Sequence, residues 1–284
     1  MRAYAELVRA PAALTVLGDT LAGAAAAGVP LRGRRLLLPL SSVALYWSGM
    51  ALNDWADREL DAVERPERPI PSGRISPRAA LTFAVGLSAT GLGLAALAGG
   101  RDALAVAAPL AVAVWSYDTV LKDTAAGPLA MAACRGLDVV LGAGRERAVS
   151  ALPAAAVMAG HTLGVTALSR GEVRGASSGA AKAVLGGTVA TAVATIARPG
   201  RTWRHRLGAL AGVATYAVTV GRAQLAAVRD PGAGVVRSAT KNGIHGMVPL
   251  QCALVARGGS PAVAAGLALV LPLARKLGRK VGPT

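Results

Sequence analysis

The chain has 284 residues, of which 53% are hydrophobic and 16% charged, and a formal net charge of +16. An ordinary soluble domain carries about a quarter charged residues, and a basic nucleic-acid surface needs stacking aromatics where this chain has only 3%, so both classes are excluded. The two cysteines, Cys134 and Cys252, sit in apolar runs, which excludes a disulfide framework or a zinc site built on cysteine spacing.

Long apolar stretches broken by short charged punctuation predict repeated membrane helices, at about 20 residues per crossing. The first stretch, Met1 to Gly28, has the outline of a secretory leader, with Arg2 and Arg9, an apolar run and then Ala24 to Ala27. Glu6 and Asp19 interrupt that outline and many spans follow, so it is read as a first helix over 11–28 and not as a cleaved leader. Further helices are predicted over 36–53, 79–99, 102–120, 126–143, 151–168, 179–197, 206–224, 235–256 and 261–277. Lys241, Asn242 and His245 interrupt the ninth of these, which leaves nine or ten spans and a broken ninth helix as one reading. The fold class is therefore all-α, a polytopic membrane helical bundle forming a single domain over 1–284. Its abundant alanine and 35 glycines let helices approach closely where lipid offers no hydrophobic drive. With ten spans, roughly 19 basic residues fall on one side and 11 on the other, with Arg135 inside a span. The richer side carries the loop after the second span and is predicted to be cytoplasmic in a cell-membrane protein.

That loop is the most informative segment, "ALNDWADRELDAVERPERPIPSGRIS" over residues 51–76, and six of the chain's 15 acids lie between Asp54 and Glu67. On a helix Asp54, Asp57 and Asp61 fall within roughly 60° of one another. Three carboxylates converging at a membrane edge repel unless a cation sits between them. All-oxygen ligation suits Mg²⁺, which binds through one or two carboxylates plus phosphate oxygens of a substrate. Asn53 adds an uncharged oxygen, and Arg58, Arg65, Arg68 and Arg74 are placed to grip phosphate. The bland alternative is a solvated loop whose Arg and Glu side chains pair with each other.

The run Asn53, Asp54, Asp57, Asp61 resembles the NDxxDxxxD motif of the UbiA superfamily of intramembrane prenyltransferases. The following "RPERPIPSGRIS" is similar to the stretch those proteins carry next. Length and span count agree with it, so the likeness covers nearly the whole chain. It implies about nine transmembrane helices around a central cavity open to lipid. It also implies transfer of a prenyl group from an allylic prenyl diphosphate to an aromatic or other lipophilic acceptor, with Mg²⁺ assisting diphosphate release. Asp54, Asp57 and Asp61 would hold the ion.

"WSYDTVLKDTAAGP", residues 115–128, resembles the family's YSxxLKR-type stretch, and implies that Tyr117 and Lys122 contact the diphosphate. Asp118 and Asp123 depart from that pattern. After the sixth span the family carries a second acidic motif of DxxxD type. Here "TALSRGEVRG" offers Glu172 as its one acid, between Arg170 and Arg174. The second motif is thus degenerate, which fits a divergent branch such as that of Ebo-type gene clusters. Glu172 is left to meet a second ion, with Arg68, Lys122 and Arg170 gripping phosphate.

Asp19, in the first span, and Arg135, paired at i, i+3 with Asp138 in the fifth, are ionisable residues within spans, which usually mark a site. Arg135 and Asp19 are therefore candidate substrate contacts, the alternative being that Arg135 and Asp138 only satisfy each other. His161 reads as a packed polar residue. The competing function is a non-catalytic isoprenoid- or lipid-binding relative serving trafficking or assembly. A transporter is disfavoured because the acids cluster at the membrane edge. A CDP-alcohol phosphotransferase is disfavoured because its Asp-Gly and Ala-Arg pairs are missing.

Overall fold

The computed structural model describes residues 2–198, 200–269 and 272, and every element among them is helical. A short α1 (Arg2–Leu7) leads through Arg9, whose φ of 46° is left-handed, into a 3₁₀ turn at Ala10–Thr15 and then α2 (Leu17–Ala26). A second 3₁₀ turn, Gly33–Leu36, starts α3 (Leu37–Ala56), which passes through Asp57 into α4 (Arg58–Glu64).

Ser76 caps α5 (Pro77–Ser116) by accepting from the Ala79 amide at 3.2 Å, with proline as the first helical residue. The helix breaks at Gly100, whose φ of 58° a side chain would disfavour. The Trp115 indole donates to Ser88 Oγ at 2.9 Å. In a straight helix those residues would stand roughly 40 Å apart. The break therefore folds α5 into two antiparallel arms, which contain the segments predicted at 79–99 and 102–120. A π-helical turn, Tyr117–Leu121, closes the second arm.

Next come α6 (Gly127–Ala143), α7 (Ala148–Ser169) and α8 (Ser178–Ile196). They are followed by α9 (Trp203–Tyr216), a π turn at Ala217–Gly221, and α10 (Arg222–Arg229). The chain continues through α11 (Ala233–Arg257) to α12 (Pro261–Ala268). Among the described residues four helical stretches are long and apolar enough to cross a membrane: Gly33–Ala56, Pro77–Leu121, Ala148–Ser169 and Ser178–Ile196. Ala10–Ala26 is a shorter apolar one.

The expected interruption of the ninth helix is corrected, since α11 runs unbroken for 25 residues. Lys241 is exposed and Asn242 bonds back to the Ser238 carbonyl at 2.8 Å, while Gly243 and Gly246 pack inward, so the polar residues lie along the outer side. Most of the last predicted span, with Arg275, Lys276, Arg279 and Lys280, lies outside the described residues.

Glycine sets the closest helix contact. A Cβ on Gly23 would strike the Val139 carbonyl and one on Gly142 the Thr20 carbonyl, so α2 and α6 touch backbone to backbone. Gly23→Ala should destabilise the protein by about 1–3 kcal/mol in detergent thermal unfolding, as overpacking does. Gly86→Ala, which meets nothing within 4 Å, should be neutral or better. Equal melting temperatures for the two variants would refute this account.

At the end of the bundle away from the acidic loop, the turns are braced by main-chain groups. Asp102 Oδ1 accepts from the Glu146 amide at 2.7 Å, Arg35 donates to the Gly142 carbonyl at 2.9 Å, and Arg147 to the Ala27 carbonyl at 3.5 Å.

Candidate functional site

The acidic loop is built by one nearly continuous helix with a bend. The Asp57 amide donates to the Asn53 carbonyl at 2.9 Å and the Asp61 amide to the Asp57 carbonyl at 2.8 Å, so α4 inherits the register of α3. Asp57 itself, at φ −86° and ψ 4°, is the bend. Asp54 and Asp61 turn inward and are 4% and 1% exposed, a burial that charged groups accept only with partners. Arg68 Nη1 lies between them, 2.5 Å from Asp61 Oδ2 and 3.4 Å from Asp54 Oδ1. Arg9 reaches Asp54 at 2.9 Å and Arg65 reaches Asp61 at 3.5 Å. Asp57 instead faces the Lys122 ammonium.

The π turn after α5 widens the helix by one residue, a device common at functional sites. It carries Tyr117 and Asp118. Asp118 is 3% exposed, and its Oδ1 accepts from the Asn53 amide at 3.3 Å. Four carboxylates, Asp54, Asp57, Asp61 and Asp118, thus stand with four cations, Arg9, Arg65, Arg68 and Lys122. Outside this group Arg74 clamps Glu6, and the guanidinium holds the Glu6 carboxyl below the usual range.

Beneath the ionic layer Val16, α3, the second arm of α5 with its π turn, and α6 line a half-open cavity of about 80 Å³ with mostly apolar walls. Tyr117 and Asp118 line it near the acids, and Ser42, Arg135 and Asp138 line it deeper in. Arg135 donates to Asp19 at 2.6 Å, and Gln251 Nε2 donates to Asp19 and to the Thr15 carbonyl, both at 2.8 Å. Asp138 takes a 2.6 Å bond from Ser42.

One of the open alternatives, the pairing of Arg135 with Asp138, changes here. No ion pair links Arg135 to Asp138 among the described residues; Arg135 crosses to α2 instead, because Asp19 is wholly buried and needs a cation. Among the described residues no three acidic, histidine or cysteine side chains are gathered around one point as a metal cage. The donors are all oxygen and so suit Mg²⁺ in kind, but Arg68 and Lys122 occupy the space between the carboxylates. Glu172 lies in the turn after α7, where its backbone carbonyl accepts from Arg237 at 3.1 Å, and no contact joins its side chain to the Asp54 group. Arg170 donates to the Thr124 carbonyl and so steadies the turn after Lys122.

Sequence reasoning did not single out Arg9, Asp118 as an inward acid, or Ser42 and Gln251. His161 is packed, bonded at 2.9 Å to both the Tyr216 hydroxyl and the Gly243 carbonyl.

Comparison with known proteins adds a family. The model of the UbiA prenyltransferase family matches residues 13–278. A digeranylgeranylglyceryl phosphate synthase of Methanopyrus kandleri is 45% identical over 129 residues, which is 44% of this chain and 45% of that protein. The chain therefore spans less than half the length of this relative. In fold it is similar to an apo UbiA homologue from Aeropyrum pernix, at a TM-score of 0.67 and 17% identity over 86% of this chain and 96% of that one. It is also similar to an Archaeoglobus fulgidus UbiA homologue bound to DMAPP and Mg²⁺, at a TM-score of 0.60 and 14% identity over 98% of each chain.

Proposed function

The chain belongs to the UbiA prenyltransferase family, and on that basis we propose that it moves a prenyl group from an allylic prenyl diphosphate to a lipophilic acceptor within the membrane. It is an integral membrane protein. The observation that carries the reading is the position of buried Asp54, Asp61 and Asp118 over an apolar cavity, each acid tied to a group that can change partners.

Asp54, Asp57 and Asp61, with Asn53, would hold Mg²⁺ once Arg68 and Lys122 turn from carboxylate to phosphate oxygens. The ion, when bound, would neutralise charge building on the departing diphosphate. Arg68, Arg9 and Lys122 supply further positive charge at the same place, and guanidinium suits a phosphate edge geometrically. Tyr117 sits where the diphosphate meets the cavity, whose apolar walls keep water from the reactive allylic carbon. The basic bias of the loops supports placing this mouth on the cytoplasmic side of the cell membrane.

Purified protein given a prenyl diphosphate and a membrane-lipid extract should release diphosphate only with Mg²⁺. Release should stop on chelation and resume when Mg²⁺ is restored. The degenerate second motif, in which Glu172 is the one acid, favours a second reading, a non-catalytic isoprenoid-binding relative serving trafficking or assembly. Saturable binding of prenyl diphosphate without diphosphate release or prenylated product, across the acceptors tried, would decide for the second.

A further inference from the structure

From Val173 to Thr284 the chain holds a single acid, Asp230, while Arg198, Arg201, Arg204 and Arg206 fall within nine residues between α8 and the first turn of α9. Arg257, the last residue of α11, joins them by donating to the Thr195 carbonyl at 2.8 Å. The four loop arginines are exposed, and among the described residues no ion pair reaches any of the five. Burial and then the like charge of Arg198 hold the Arg257 guanidinium below its usual range. Single arginines at span ends ordinarily snorkel to water. Five gathered without a counter-charge repel one another and attract an anion. Backbone bonds fix the loop that carries them. Arg206 Nε donates to the Gly200 carbonyl at 3.0 Å, and Thr202 caps α9 by accepting from the His205 amide at 3.4 Å.

Inward from these arginines α9, α11 and α12 leave a half-open groove of about 320 Å³ with mostly apolar walls. Its α9 side is Gly208, Ala211 and Thr215, one residue per turn, reaching roughly 16 Å inward of Arg204. Thr215 turns its hydroxyl back onto the Ala211 carbonyl at 2.8 Å, which satisfies the donor on that wall. At the rim the start of α9 meets the turn between α11 and α12, where a Cβ on Gly259 would lie 3.8 Å from the His205 ring. Trp203 is 67% exposed there with the Arg204 guanidinium 5.5 Å over its ring, a pairing suited to headgroup depth. We propose that this end of the bundle holds one anionic phospholipid, its phosphate on the arginine loop and one acyl chain in the groove. Guanidinium matches phosphate oxygens bidentately, and the groove receives the chain that the same molecule carries. Surrounding lipid is as apolar as the groove, so the chain is seated there but not selected, and headgroup charge makes the choice. None of the groove's walls belongs to the cavity beneath the acids, so the inference stands apart from the prenyltransferase reading.

The test is native mass spectrometry of the full chain in detergent, titrated with dioleoyl phosphatidylglycerol or dioleoyl phosphatidylcholine. One phosphatidylglycerol should be held about tenfold more tightly than phosphatidylcholine. Equal retention of the two lipids would overturn the proposal. Arg201→Gln with Arg204→Gln should cut that preference to about threefold or less. Arg32→Gln with Arg34→Gln, exposed arginines of another turn at the same end, should leave it unchanged. A preference that falls equally in both pairs would mean diffuse attraction without a site. Ala211→Phe, at an exposed position of the groove, should weaken phosphatidylglycerol binding by about fivefold or more through steric exclusion. Unchanged binding in that variant counts against the groove. Glycerol phosphate, a headgroup without tails, should not displace the lipid at equal concentration, and displacement would replace the lipid site with one for free phosphate. A dimer that Ala211→Phe abolishes would give the groove to a second copy and equally defeat the proposal. Should a variant not fold, the comparison of the two lipids on the wild type decides by itself.

Discussion

Asp54→Asn is expected to lower Mg²⁺-dependent diphosphate release by about 10²- to 10³-fold, the usual effect of removing one group that stabilises developing charge. The substitution keeps the shape of the side chain and removes its charge, so it separates chemistry from packing. Arg68 retains Asp61 at 2.5 Å and α3 retains its helix bonds, and the protein should still insert and melt close to wild type. Arg9 is the group left without a carboxylate. Its exposure to the mouth lets solvent or substrate phosphate take over that role. Release rates from purified wild-type and variant protein, read beside their melting temperatures, check this. Turnover within threefold of wild type would remove Asp54 from the metal-binding set.

Arg135→Ala is expected to destabilise the fold by about 3–5 kcal/mol, because it strands a buried carboxylate. Asp19 has no exposed surface, and without Arg135 it is left with the Gln251 amide and the neighbouring Asp138 carboxyl, neither of which carries a positive charge. Replacing both ends, Arg135→Leu with Asp19→Leu, should recover most of the loss, since two apolar groups of similar volume leave no unpaired charge. Thermal unfolding in detergent of the single and double variants measures the difference. A single variant as stable as wild type would mean that the pair is a surface feature.

The helices and the acidic segment were the legible part of the sequence. Apolar runs such as 126–143 and 179–197 lie within two residues of α6 and α8, because in lipid a helix ends where the backbone can reach water. What stayed hidden depends on distant partners or on single backbone torsions. A helical wheel puts Asp54, Asp57 and Asp61 together, but the bend at Asp57 sends that residue to Lys122 and leaves the other two sharing Arg68. Arg9 enters the site through one left-handed residue that no pattern announces. Asp118 points inward because a π turn precedes Lys122. The local candidate for Arg135 was Asp138, three residues on, and its actual partner is 116 residues away. Lys241 and Asn242 suggested a break because one-dimensional hydropathy cannot say which way a residue faces.

The two ends of the bundle differ in their side-chain fastenings: the acidic end adds salt bridges to its main-chain braces, such as Arg170 on the Thr124 carbonyl. Far from the acids, Asp102, Arg35 and Arg147 fasten neighbouring turns through main-chain amides and carbonyls, partners that no incoming anion displaces. Near the acids the fastening is salt bridges from Arg9, Arg68 and Lys122, which a phosphate group competes for directly. If the proposed function holds, a bound diphosphate would compete for the same charges that fasten this end.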